Sequence, residues 1–299
     1  MSILVVGSIA LDTVETPLGK VVDSPGGSAL FFSAAASFFA PVKVVGVVGE
    51  DFDFSIINFL GKKKVDLSGI RVEHGQTFRW GGRYQQNMNI RDTLYTHLNV
   101  FESFQPVIPP HYRKCKFVFL ANIDPVLQLQ VLDNMDSPSL TVLDTMNFWI
   151  AGRRQQLMEV IRRVDVIILN DEEIKELTGQ YHLQQAAQKL LQWGPRLLVI
   201  KKGEHGAVLV SANDYFTAPA YPVNEVVDPT GAGDSFAGGF VGYLATCSRL
   251  TDLNFRKAVA YGSTVASFAV ESFSFNRLRE VSRRQIEQRY EQFRKMTHF

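Results

Sequence analysis

Short apolar runs recur along this chain, and nearly all of them end at a glycine or a polar cluster. Residues 3–6, 42–48, 117–120, 140–143, 166–169 and 197–200 are dominated by Val, Ile, Leu and Phe. They scarcely alternate with polar positions, and such runs predict strands buried on both faces of a parallel sheet. Between them lie segments with helical character: 29–39, 54–60, 125–135, 155–164, 232–247, 255–270 and a charged terminal stretch, 283–299. Strand and helix in turn predict an α/β fold with a mostly parallel central sheet. Two regions break the rhythm. Residues 13–22 alternate loosely around Pro17-Leu18-Gly19, which predicts a hairpin. Residues 77–84 and 94–100 flank a polar turn at 87–92. Together, 12–23 and 71–100 predict a small β lid over one edge of the sheet. Residues 207–210 and 215–217 predict an antiparallel pair.

Composition narrows the class. The chain has 299 residues, 46% hydrophobic and 20% charged, enough for a large core. We expect one domain spanning 1–299. With 31 basic and 30 acidic residues the net charge is +1, so neither nucleic acid nor a membrane surface is expected as a partner. The run Lys62-Lys63-Lys64 reads as a solvated helix end. Two cysteines, Cys115 and Cys247, fit a reduced cytoplasmic protein without a disulfide framework. The N-terminus lacks a basic, signal-like opening, and no apolar stretch reaches membrane-spanning length. Gly-x-x-x-x-Gly-Lys-Ser/Thr is missing, as are the protein-kinase motifs and an early Gly-x-Gly-x-x-Gly.

Chemistry concentrates in Val227-Asp228-Pro229-Thr230-Gly231-Ala232-Gly233-Asp234-Ser235-Phe236. The proline pushes Asp228 towards extended backbone. Pro229-Thr230-Gly231 reads as a tight turn into the helix that starts at Ala232. Small residues there leave backbone N–H groups open to an anion, and the helix dipole adds to the attraction. Asp234 would repel a resting phosphate. It suits instead a reaction in which a hydroxyl loses its proton while charge develops on a phosphoryl group. The plainer reading is a glycine-rich turn with an acid in the first helical turn. Ser24-Pro25-Gly26-Gly27-Ser28 opens a second helix, with Ser28 as the expected cap. Asp12 follows the first strand, at the edge where open parallel sheets bind ligands. Asn170 and Glu173 have capping-box spacing. Gly203 and Gly206 permit close backbone approach, and His205 between them reads as a loop residue.

The Asp228 to Phe236 string resembles the C-terminal signature of the ribokinase-like (PfkB) carbohydrate kinase family. The likeness covers nearly the whole chain: Gly26-Gly27, then Gly46, Gly49 and Asp51, then Asn170-x-x-Glu173, then Gly203-x-x-Gly206. It implies a ribokinase-like three-layer sandwich with a β lid. It also implies ATP-dependent phosphorylation of a hydroxyl on a small carbohydrate. On this resemblance Asp234 is the general base, beside the amides of Gly231, Ala232 and Gly233. Asp12, Gly26, Gly27, Ser28, Phe31 and Arg79 would hold the substrate. Asn170, Lys201, Gly203, Glu204, Gly206, Thr230 and Tyr261 would face ATP. Mg²⁺ is implied near Glu173 and a monovalent cation such as K⁺ near Asp228. The lid of relatives often doubles as a dimer interface, so a homodimer through the lid is expected. Two departures stand out. Phe31 occupies a place where sugar kinases often carry Asn. Asp144-Thr145-Met146-Asn147 is one residue longer than the family's Asp-x-Asn, so neither Asp144 nor Asn147 is carried over. Phe31, Arg79, Trp80 and Tyr84 would make the pocket more aromatic than a simple pentose needs, which keeps a nucleoside kinase as the first alternative. A non-catalytic protein that binds a sugar or nucleotide is the second.

Overall fold

The computed structural model describes residues 1–297. The elements run β1 (Ile3–Val6), β2 (Ala10–Thr16), β3 (Gly19–Gly26), α1 (Ser28–Ala36), β4 (Val42–Gly49), α2 (Asn58–Lys62), β5 (Val65–Glu73), β6 (Phe78–Tyr84) and β7 (Arg91–His97). Then come β8 (Phe117–Leu120), α3 (Pro125–Asp133), β9 (Leu140–Asp144), α4 (Asn147–Gly152), α5 (Arg154–Ile161), β10 (Val166–Asn170), α6 (Asp171–Thr178) and α7 (Leu183–Leu191). The last third holds β11 (Leu197–Lys201), β12 (Ala207–Ser211), β13 (Tyr215–Ala218), α8 (Ala232–Leu244), α9 (Asp252–Ala269), α10 (Asn276–Glu280) and α11 (Arg283–Met296). The expected terminal helix 283–299 is thus present to Met296, and its last two residues lie outside the described ones.

Among the described residues, nine strands form the main sheet in the order β13-β12-β11-β10-β9-β8-β1-β4-β5. Neighbours from β5 through β11 are parallel, while β12 and β13 add an antiparallel end. The apolar runs explain the arrangement. On β1, Ile3 and Val5 join a core shared with α1, α8, α9 and α11, and Leu4 and Val6 join one shared with α3, α5, α6 and α7. Successive side chains enter opposite helical layers, so a strand with two buried faces has no polar face to show.

A second sheet, β3-β2-β6-β7, lies at the C-terminal edge of the first. Its β2 and β3 form the expected hairpin, and β2 pairs in parallel with β6. The lid is built from 10–26 and 78–97. The expected second segment began too early, because β5 stays in the main sheet as far as Glu73. No helix among the described residues is long and apolar enough to cross a membrane.

Candidate active site

The two glycine-rich turns open two helices that pack side by side, α1 and α8. Their N-termini meet in one cavity of about 1110 Å³. It is lined by Asp12 of β2, by Gly27, Ser28 and Phe31 at the start of α1, and by Thr230, Gly231, Gly233 and Asp234 at the start of α8. The lid contributes Phe78, Trp80, Tyr84 and Arg91, and the far wall contributes Asn122, Asp124, Phe148, Trp149 and Arg153.

At α8, Gly231 caps the helix with φ 73°, a left-handed conformation that glycine adopts without strain. A side chain there would also overlap the Phe31 ring. Phe31 is 2% exposed and sits edge-on to Phe275, so it buttresses the turn as well as lining the cavity. Among the described residues no side chain caps α8. Ala232 N–H donates to Pro229 and Ser235 N–H to Gly231, while those of Gly231 and Gly233 have no partner among the described residues. Asp234 lies in this first turn, and burial pushes its carboxyl up to about 7, with Asp144 adding to the rise and Lys201 opposing it.

At α1 the amides are already taken. Ser28 N–H donates to Ser8 Oγ and Ser8 N–H to Ser28 Oγ, both at 3.1 Å, and Ala29 N–H donates to the Ser8 carbonyl. Ser28 therefore does not cap its own helix as expected; Gly27 occupies the cap position, at φ 90°. Asp12 fills the space beside Gly26, where any side chain would overlap its carboxylate. Burial raises Asp12 to about 7, with Asp228 and Asp234 adding to the rise and the Gly27 N–H opposing it. One residue ties both turns: Ser274 N–H donates to Asp228 Oδ2 at 3.2 Å, and its hydroxyl donates to the Pro25 carbonyl at 2.6 Å. The other Asp228 oxygen accepts Thr230 N–H at 2.8 Å.

A second polar group lies against Gly233. Lys201, at the end of β11, places Nζ 3.3 Å from Asp144 Oδ1, and a Cβ on Gly233 would lie 3.0 Å from that Nζ. Burial disfavours the ammonium, yet Asp144, Glu173 and Asp234 outweigh it and hold Lys201 above its ordinary range. Burial lifts Glu173 to about 7 against the pull of Lys201. Asn170 and Glu173 form a complete capping box at α6. Gly203 and Glu204 lie beside the lid tip, where Asn89 Nδ2 is 3.5 Å from Glu204 Oε1. Gly206, at φ 91°, closes the same loop.

Two expected site residues lie elsewhere. Arg79 pairs with Asp51 at 2.8 Å and with Asp23 of lid strand β3 at 3.4 Å, on the opposite face of β6 from Trp80, and through Asp51 holds the lid to the segment just past β4. Tyr261 is stacked between Tyr243 and Tyr290 and donates to Glu287. Tyr243 is nine residues beyond Asp234 on α8, roughly 14 Å of helix, so Tyr261 belongs to the helical core.

Other residues escaped the sequence reading. Asp144 was set aside on spacing, although an acid at a strand's C-terminal end was itself a signal. Trp149 donates its indole N–H to Asn122 at 2.9 Å, and Arg153 pairs with Asp124 at 3.3 Å, forming a wall on the short helix α4. Ser8 carries no signal in sequence.

Residues 129–279 match the model of a family described as pfkB family carbohydrate kinase. A cytidine kinase of Thermococcus kodakarensis is 32% identical over 262 residues, covering 84% of this chain and 93% of that protein. A nucleoside kinase of Methanocaldococcus jannaschii is 22% identical over 261 residues, covering 84% and 82%. By shape, the chain resembles a ribokinase II of E. coli solved with ATP and Mg²⁺. The TM-score is 0.82 at 20% identity, covering 97% of this chain and 99% of that one, a likeness of fold.

Proposed function

This chain belongs to the pfkB family of carbohydrate kinases, and from that premise we propose that its cavity phosphorylates a sugar hydroxyl of a nucleoside, with ATP as donor. One observation carries the reading. A cavity of about 1110 Å³ joins two carboxylates, the buried Asp12 and the half-buried Asp234, to aromatic surfaces on either side, Trp80 of the lid and Phe148 and Trp149 of the far wall. A pentose alone leaves that wall without a partner, whereas a base attached to the sugar stacks on it.

Each residue then has a task. Asp12, with the Gly27 backbone, orients the sugar hydroxyls. Asp234 accepts the proton of the attacking hydroxyl, and a carboxyl near 7 is matched to that exchange at neutral pH. The unpartnered amides of Gly231 and Gly233, at the positive end of α8, stabilise charge growing on the phosphoryl oxygens. Lys201 brings an ammonium to the same place from the nucleotide side.

Mg²⁺ suits this donor set only in part. Among the described residues no three acidic, His or Cys side chains converge to hold an ion alone. The available groups are the hard oxygens of Glu173 and Asn170, which fit a hydrated Mg²⁺ carried mainly by phosphates. Bound there, it would neutralise phosphate charge. A monovalent cation beside Asp228 would share a carboxylate whose oxygens each already accept one backbone N–H. Exposed apolar side chains on the lid, Leu18, Val22, Ile90 and Leu94, support self-association through that surface.

The test is ATP consumption with ribose, cytidine and adenosine as acceptors. We expect a nucleoside to exceed ribose by about 100-fold in kcat/KM, the scale set by leaving built contacts unused. Preference for ribose would overturn the nucleoside reading and leave the family activity standing.

A further inference from the structure

Tyr84 ends lid strand β6 and is buried, with 8% exposure. Thr230 Oγ1 donates to its hydroxyl at 3.2 Å. Thr230 lies in the turn before α8 and is itself anchored to Asp228. That contact is the only hydrogen bond among the described residues that joins β6 or β7 to the turn presenting Gly231 and Gly233. On the lid side, Tyr84 pairs across the hairpin with Arg91, whose guanidinium lies beside the phenol and 5.1 Å over the Trp80 ring. Trp80, Arg91 and Tyr84 all line the cavity. A continuous set of contacts therefore runs from the aromatic part of the lid to the turn that gathers the anion-binding amides.

Resting on the reading that this cavity holds the acceptor, we propose that Tyr84 is a positioning residue that couples an occupied lid to the geometry of the turn. An acceptor packed on Trp80 and Arg91 holds β6 in place. The Tyr84 hydroxyl then fixes Thr230, and with it the direction of the Gly231 and Gly233 amides. With no acceptor to steady the lid the bond is weaker, the amides are less well aimed, and transfer to water is suppressed. Coupling of this kind needs a measured interaction between the two residues, beyond their adjacency.

The experiment is a double-mutant cycle with Tyr84→Phe, Thr230→Val and the pair. It is read on acceptor phosphorylation with cytidine, adenosine and ribose, and on ATP hydrolysis without acceptor. Each single change is expected to lower acceptor phosphorylation about 3–10-fold, the scale of one hydroxyl hydrogen bond. Each should also raise the share of ATP lost to water. The double variant should be no worse than the worse single one. Thr230→Ser, which keeps the hydroxyl, should restore both readouts and serves if the valine variant does not fold. Additive losses, or an unchanged partition between acceptor and water, would overturn the proposal. Acceptor preference of the unaltered enzyme tests the nucleoside reading separately, and the hydrolysis arm needs no acceptor, so the two failures are distinguishable.

Discussion

Helices α1 and α8 start from turns of nearly the same composition and point into the same cavity, yet their ends are finished differently. At α1 the Ser28 and Ala29 N–H groups are satisfied inside the protein, by the Ser8 hydroxyl and the Ser8 carbonyl, and the Ser28 hydroxyl in turn accepts the Ser8 N–H. At α8, among the described residues, no side chain caps the helix, and Gly231 and Gly233 keep their N–H groups unpartnered. Each end faces a carboxylate, the buried Asp12 or the half-buried Asp234. A finished helix end is a rigid shelf for a neutral ligand. An unfinished one is an electrostatic device that takes its partner from outside the chain. A glycine-rich turn therefore does not specify an anion site by itself; what matters is whether the protein spends those amides on itself.

Three measurements bear on that contrast. Asp234→Asn removes the proposed proton acceptor at the unfinished end, and kcat should fall by about 10³-fold or more while the acceptor still binds by calorimetry. Turnover within tenfold of normal would break the assignment. Asp12→Asn, at the finished end, should act mainly on acceptor KM. A rise of about 10–100-fold with a smaller change in kcat is expected, the scale of a charged hydrogen bond to a hydroxyl. A loss confined to kcat would erase the distinction between the two ends. The smallest effect concerns stability. Burial lifts Asp234 from 3.8 to about 7. The folded state thus keeps a proton that the unfolded chain releases. The stability this group contributes is fully present below the unfolded value and is lost as pH rises through about 7. Asp234→Asn should therefore raise Tm at pH 8 by about 2–4 °C, and by less at pH 5, in scanning calorimetry.

The main sheet was legible because strands buried on both faces announce themselves as continuous apolar runs. The two turns and the capping box were legible because their glycines and spacing have local reasons. The lid was harder. Arg79, Trp80 and Tyr84 are all expected at the pocket, although strand alternation sends Arg79 to the side opposite Trp80 and Tyr84, where it finds Asp51 and Asp23. Tyr261 shows a different failure. Chain order puts α9 beside α8, but only packing tells which turn of α9 approaches the site and which meets α11. Helix α4 is six residues long, too short to leave a periodic trace, and it carries the wall at Phe148 and Trp149. Ser8 and Asp144 matter through partners 20 and 57 positions away, beyond any local pattern.

Ser274 holds both turns at once, from a left-handed backbone at φ 55° that disfavours any residue with a side chain. The consequence concerns how such an enzyme can be retooled. A change that shifts the loop at Pro25 to admit a different sugar will pull, through Ser274, on the carboxylate that orders the catalytic loop. Altered tolerance at the sugar will then arrive together with slower chemistry. Among the described residues no hydrogen bond ties the far wall at Asn122, Phe148 and Trp149 to either turn, so on the proposed nucleoside reading new acceptors are more readily gained there, while the two helix ends stay as they are.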